Sequence, residues 1–104
     1  MSETITFATC KDARQAKAIA RALVKEKLAA CVNIVPGITS VYTWKGKTEE
    51  ASEVLLLVKS RAALSKRLVS RIRALHSYEV PEVVTLPIAS GNPAYLRWVR
   101  ESTR

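Results

Sequence analysis

Few residues in this chain are able to carry chemistry, and their scarcity is the first constraint on function. The 104 residues include one histidine, His76, two cysteines, Cys10 and Cys31, and a single aspartate, Asp12. A Ser-His-Asp relay could be assembled only around His76 and Asp12, and a multi-histidine metal site cannot form within one chain. The cysteines are too few for a disulfide scaffold and too far apart for a CxxC redox or zinc motif. The three glycines stand at 37, 46 and 91. None falls in Thr9-Cys10-Lys11-Asp12-Ala13, the segment between first strand and first helix where a phosphate cradle would need them. With neither a base–nucleophile pair nor a phosphate cradle, the chain is not expected to be an enzyme.

The elements that must position these groups follow from periodicity. Ile5 to Cys10 reads as a short strand, and Asp12 is placed to cap a helix starting near Ala13. Ala16, Ile19, Ala20, Leu23 and Val24 recur at the spacing of one buried helical face, with Arg14, Lys17, Arg21 and Lys25 opposite. Ala30 to Trp44 is β-branched and aromatic, broken by Pro36-Gly37, and reads as one long bent strand. Lys45-Gly46-Lys47 supplies a turn, and after an acidic stretch the run Val54-Leu55-Leu56-Leu57-Val58 is typical of a strand covered on both faces.

Ser60 is expected to cap a second amphipathic helix with Leu64, Leu68, Ile72 and Leu75 in one stripe. Val83 to Ala89 forms a fourth strand, and Asn92-Pro93 opens a short terminal helix. The predicted fold is therefore α+β: a ferredoxin-like βαββαβ sandwich with a short C-terminal helix, in one domain over 1–104, with strands one and three central. Pro36 and Pro87 fall in strands two and four, the edges of that topology, where a missing N–H breaks no ladder bond.

Composition is ordinary for a globular domain, with 48% hydrophobic and 25% charged residues, so wholesale disorder is not expected. No run approaches the roughly 18 apolar residues of a membrane span, and the start has no basic-then-apolar leader; a soluble, cytoplasmic protein without membrane contact is expected. The net charge of +8 raises nucleic acid or anionic partners. However, nothing resembles the aromatic RNA-recognition segment of ferredoxin-like domains, so the basic helix faces are read as solvated and nucleic acid is disfavoured as a partner.

A family resemblance is carried by Leu28-Ala29-Ala30-Cys31-Val32-Asn33-Ile34, then Pro36-Gly37, Ser40, Tyr42, Trp44 and Gly46. It continues through Glu53, Lys59, His76, Tyr78, Pro81-Glu82, Pro87, Gly91, Tyr95 and Trp98. These residues resemble the CutA family of divalent-cation tolerance proteins over nearly the whole chain. The resemblance implies a homotrimer similar in architecture to PII signalling proteins, assembled through edge strands, and an association with copper tolerance. It also implies copper or another divalent cation as ligand, bound by a first-strand cysteine and a histidine at the end of helix two. His76 matches that histidine. Alignment puts Ala8 where some members have the cysteine, and Cys10 lies two residues on, on the same strand face, about 6–7 Å away.

Three groups of residues are thus candidates. His76 with Cys10, or with Glu79 or Glu82 of a neighbour, would make a site suited to copper more than to magnesium or calcium; a structural role for His76, bonding the last carbonyls of its helix, is the competing and favoured reading. Lys59, Glu79 and Glu82 could flank a ligand cleft between subunits, as in PII-like proteins. Tyr42 and Trp44 are read as subunit-interface anchors, and Cys31 as a packing residue. The alternative to metal binding is PII-like small-ligand sensing or a protein-scaffold trimer with no direct metal role.

Overall fold

The computed structural model describes residues 2–104. The element order is β1 (Glu3–Cys10), α1 (Ala13–Lys25), β2 (Cys31–Trp44), β3 (Lys47–Arg61), a single 3-10 turn, α2 (Ser65–Leu75), β4 (Val83–Pro87) and α3 (Pro93–Glu101). The four antiparallel strands lie in the order β2-β3-β1-β4. The predicted βαββαβ string, its central β1 and β3 and the terminal helix are all present. Among the described residues no helix is long and apolar enough to cross a membrane.

The local chemistry acts as its residues dictate. Asp12 accepts from the Gln15 N–H at 2.9 Å and starts α1, and Asn92 accepts from the Ala94 N–H at 3.0 Å ahead of Pro93 to start α3. The bend in β2 is a register shift between Val35 and Ile38, where Gly37 adopts φ +75°. At the hairpin tip Lys45 and Gly46 take φ of 51° and 80°, the two left-handed residues that a two-residue turn matched to strand twist requires.

Ser60 does not cap a helix. It lies inside β3, fully buried, and donates its hydroxyl to the Leu28 carbonyl at 2.7 Å; α2 begins only at Ser65, behind the 3-10 turn. The strand register with β1, in which Thr4 faces Ser60 and Glu3 faces Arg61, outcompetes the local capping tendency. Ser60→Ala is expected to destabilise the protein by about 1–2 kcal/mol, because it leaves a buried carbonyl unpaired; urea denaturation measures this. Strand four ends at Pro87 rather than Ala89, the last residue paired with β1, opposite Thr4. Val24, placed by periodicity on the buried face of α1, is 44% exposed at the edge of that stripe.

The core lies between the helices and one sheet face. Ala8, Cys10, Val54, Leu56 and Val58 from the sheet meet Ala16, Ile19 and Leu23 of α1 and Leu68 and Ile72 of α2. The expectation that both faces of the 54–58 run are covered holds for only one of them within the chain. Val54, Leu56 and Val58 are buried, whereas Leu55 and Leu57 are half-buried on the other face. There the register aligns Leu57 with Phe7 and Val84, and Leu55 with Val35. Val35, Val84 and Leu86 are 37–48% exposed on this face. The helix α3 reaches its Glu3–Arg61 end, where Arg100 bonds Glu3 at 2.8 Å and Arg61 bonds Thr103. The middle of the face, from Val35 and Leu55 to Phe7, Val84 and Leu86, presents an apolar surface to solvent beside the Lys59–Asn33 pair.

Candidate functional site

A cleft of about 640 Å³ opens between the β2–β3 hairpin and the loop that follows α2. Its walls include Ser40, Val41, Tyr42 and Trp44 from β2, Glu53 from β3, Thr9 from β1, and Tyr78, Glu79, Val80 and Glu82 from the loop. The hairpin reaches this far because β2 and β3 resume pairing after the Val35–Ile38 bulge and keep it out to Trp44 and Lys47, well past the end of β1 at Cys10. The loop comes to the same place because α2 ends beside the last residues of β1 while β4 must start opposite Ala8.

Of the predicted ligand-cleft residues, Glu79 and Glu82 line this space and Lys59 does not. Lys59 bonds Asn33 across the β2–β3 ladder, six residues along β3 from Glu53, which at the strand rise is about 20 Å. The lining contains three carboxylates and no lysine, arginine or histidine. Tyr42 and Trp44, read from sequence as interface anchors, form one wall and are 45% and 53% exposed in the single chain. Glu53, although named in the family-like pattern, was not singled out as a site residue. It is 8% exposed and accepts from the Tyr78 hydroxyl at 2.8 Å. The signal for it is a glutamate immediately before an apolar strand run, a position that periodicity alone reads as a strand end.

His76 and Cys10 both lie where β1 ends, and each is already engaged within the chain. His76 is 9% exposed, and its Nε2 lies 2.7 Å from the Thr9 carbonyl oxygen. The Tyr78 backbone N–H points at Nδ1, at 3.1 Å. A carbonyl can only accept and an amide N–H can only donate, so the proton sits on Nε2 and the Nδ1 lone pair is taken. The histidine therefore bonds a strand carbonyl rather than the last carbonyls of its own helix; the ring is turned toward β1 while its backbone N–H still closes onto the Ile72 carbonyl at 2.9 Å.

Cys10 is fully buried in the core, and burial, reinforced by the charges of Glu53 and Asp12, pushes its thiol up to about 11 from an ordinary 9.0. A metal would need the thiolate, which this setting opposes. Among the described residues no group of three or more histidine, cysteine or carboxylate side chains converges on a point. The donors expected from the resemblance thus do not fit a metal within one chain.

Two outcomes follow for Cys10. Iodoacetamide at pH 8 is expected to leave it unmodified in the folded protein and to label it fully in denaturant, as peptide mass spectrometry would show. Because the folded thiol keeps its proton longer than the unfolded one, its contribution to stability is complete below about pH 9 and is lost as pH rises toward about 11.

Tyr78 is half-buried. Burial and its bond to Glu53 push the phenol up to about 12. Its ring lies 4.7 Å from that of His76, centroid to centroid, so the two form a small packed unit of which Tyr78 lines the cleft.

Fold and site together define a ferredoxin-like α+β domain with a carboxylate- and aromatic-walled cleft and an uncovered apolar sheet face. Residues 4–102 match the family of CutA1 divalent ion tolerance proteins. The chain belongs to that family. It is 51% identical to the mouse protein named Protein CutA over 102 residues, covering 98% of this chain and 58% of that one. The chain thus spans little more than half the length of that relative. The Thermus thermophilus divalent-cation tolerance protein CutA is 52% identical, with 97% of this chain and 98% of that one covered. A solved structure of the divalent cation tolerance protein from Thermus thermophilus superposes with a TM-score of 0.96 at 52% identity, over 98% of this chain and 99% of that chain.

Proposed function

We propose that this protein acts in divalent-cation tolerance as a homotrimer joined through its edge strands, and that it binds cations in the cleft at each subunit boundary. The observation that carries this reading is the charge of the cleft: in a chain of net +8, its walls hold Glu53, Glu79 and Glu82 and no basic residue. Such a pocket concentrates cations and repels anions. Its aromatic wall favours positive charge as well; Lys45 Nζ already sits 5.8 Å from the centre of the Trp44 ring.

The trimer is supported by the apolar sheet face and by β2 and β4, whose outer edges carry unpaired backbone groups. Since the carboxylates of one chain do not converge, a neighbouring subunit has to complete the coordination. Copper(II) is the divalent cation proposed, since it sits highest in the general affinity order. With no nucleophile paired to a base, the role is binding rather than turnover. A PII-like sensor of anionic ligands is the weaker reading, because the part of the cleft that one chain builds carries carboxylates and no basic side chain.

The test is native mass spectrometry of untagged protein before and after copper(II) addition. A trimer gaining copper in threes, with uptake lost in the Glu79→Gln/Glu82→Gln double variant that remains trimeric, is the expected result. A trimer that stays metal-free would replace cation binding by a scaffold role, and a monomer would overturn the assembly.

A further inference from the structure

We infer that His76 is a latch that positions the acidic wall of the cleft, and that it is not a metal ligand. The hydrogen bonds that cross the site lead to this role. The loop 77–82 carries Tyr78, Glu79, Val80 and Glu82 into the cleft, yet among the described residues no backbone–backbone hydrogen bond outside the regular elements involves it. Its ties to the sheet are made by side chains. One runs from the Thr9 carbonyl to His76 Nε2–H, through the ring to Nδ1, and on to the Tyr78 N–H. The other runs from the Tyr78 hydroxyl to Glu53.

These two ties share Tyr78. The histidine ring fixes its backbone and the carboxylate fixes its hydroxyl, so Tyr78 spans the distance from the end of β1 to the start of the apolar run of β3. Glu79 follows directly. With Tyr78 held at both ends, the loop leaves it in one direction, which sets where the Glu79 and Glu82 carboxylates stand relative to Glu53. Preorganising separated carboxylates in this way reduces the ordering cost of binding a cation between them.

The ring is suited to this task by its two nitrogens. A neutral imidazole offers a donor and an acceptor at opposite sides of a rigid plane, and here both are used within the chain. Coordinating a metal through Nδ1 would release the Tyr78 N–H, and coordinating through Nε2 would leave the Thr9 carbonyl buried without its partner. Either would dismantle the support of the carboxylates that the cleft presents.

The latch rests on the cleft being the binding site, but its test has a readout that survives if no cation binds. His76→Gln keeps an amide donor and acceptor and removes the imidazole; His76→Ala removes all three. Hydrogen exchange at the Tyr78 amide, read by mass spectrometry with electron-transfer fragmentation, is expected to be at least tenfold faster in His76→Ala and within about threefold of the native rate in His76→Gln. Equal protection in all three proteins would overturn the latch.

The ligand role is tested directly in the native protein. Because His76 is the one histidine of the chain, any imidazole-nitrogen modulation in pulsed electron paramagnetic resonance of the copper(II)-treated, untagged protein must arise from it. No such modulation is expected, and copper(II) uptake is expected to persist in His76→Gln. Imidazole modulation, or uptake lost in His76→Gln while exchange protection is kept, would make His76 a ligand and overturn the inference. If copper(II) fails to bind at all, the proposed function falls while the exchange result still decides the latch.

Discussion

Leu57→Asp is expected to leave the chain folded and to convert the assembly to monomers. Leu57 is half-buried at the middle of the uncovered sheet face, in register with Phe7 on β1 and, beyond it, Val84 on β4. In the isolated chain a carboxylate there remains in contact with water. In a trimer closed over this face it would be desolvated without a partner, which costs about 3–5 kcal/mol per interface and weakens association by roughly two to four orders of magnitude. Size-exclusion chromatography with light scattering reads the mass, and circular dichroism reads the fold. A Leu57→Asp protein that stays trimeric would show that the subunits meet elsewhere.

The neighbouring substitution is expected to do the opposite. Leu56 is fully buried, sits between Ala8 of β1 and Ile34 of β2, and faces the helices. Leu56→Ala removes buried methyl groups and leaves a cavity that the strand cannot close, a loss of about 3–5 kcal/mol. For a domain of this size each kilocalorie is worth roughly 4–8 °C in Tm, so a fall of well above about 10 °C is expected while the native protein at low temperature keeps its subunit count. A shift of only a few degrees would mean that the core relaxes around the cavity. The two variants are adjacent in sequence and separate folding from assembly, since a strand turns successive side chains to opposite faces.

The latch and the cleft bear on the same question of which groups meet a cation. The buried position and raised thiol pKa of Cys10 set it against a ligand role, and its neighbours Ala8, Val54 and Leu56 explain its presence as packing. Carboxylates and aromatic faces remain, on a wall that one chain leaves open. On the proposed function the site lies at the boundary between copies, so a variant that dissociates the proposed trimer is expected to abolish uptake as well.

The fold was legible because its signals are local and repeated. The 3.6-residue stripe of α1, the caps at Asp12 and Asn92, the glycine at each bend of the hairpin and the prolines of the edge strands all act within a few residues, and the structure contains each of them. Sequence also singled out Glu79 and Glu82 as cleft residues and Tyr42 and Trp44 as interface anchors, two separate groups that only the structure brings to one cleft.

The remainder depended on contacts between residues far apart in the chain. Ser60 has the composition of a cap, but pairing with Thr4, at the other end of the sequence, keeps it in the strand and directs its hydroxyl to Leu28. Lys59 and Glu79 are both expected at a cleft between subunits, and within one chain the length of β3 sets them at opposite ends of the ladder. His76 stands out in the sequence as its one histidine, and only the tertiary structure shows that the end of β1 supplies its acceptor and Tyr78 its donor. The sequence by itself therefore determined which elements form and which face of each is apolar, because those follow from short-range sterics and side-chain period. Which donors meet was decided by sheet register, a long-range property in which a two-residue shift moves a side chain by about 7 Å and separates a ligand from its metal.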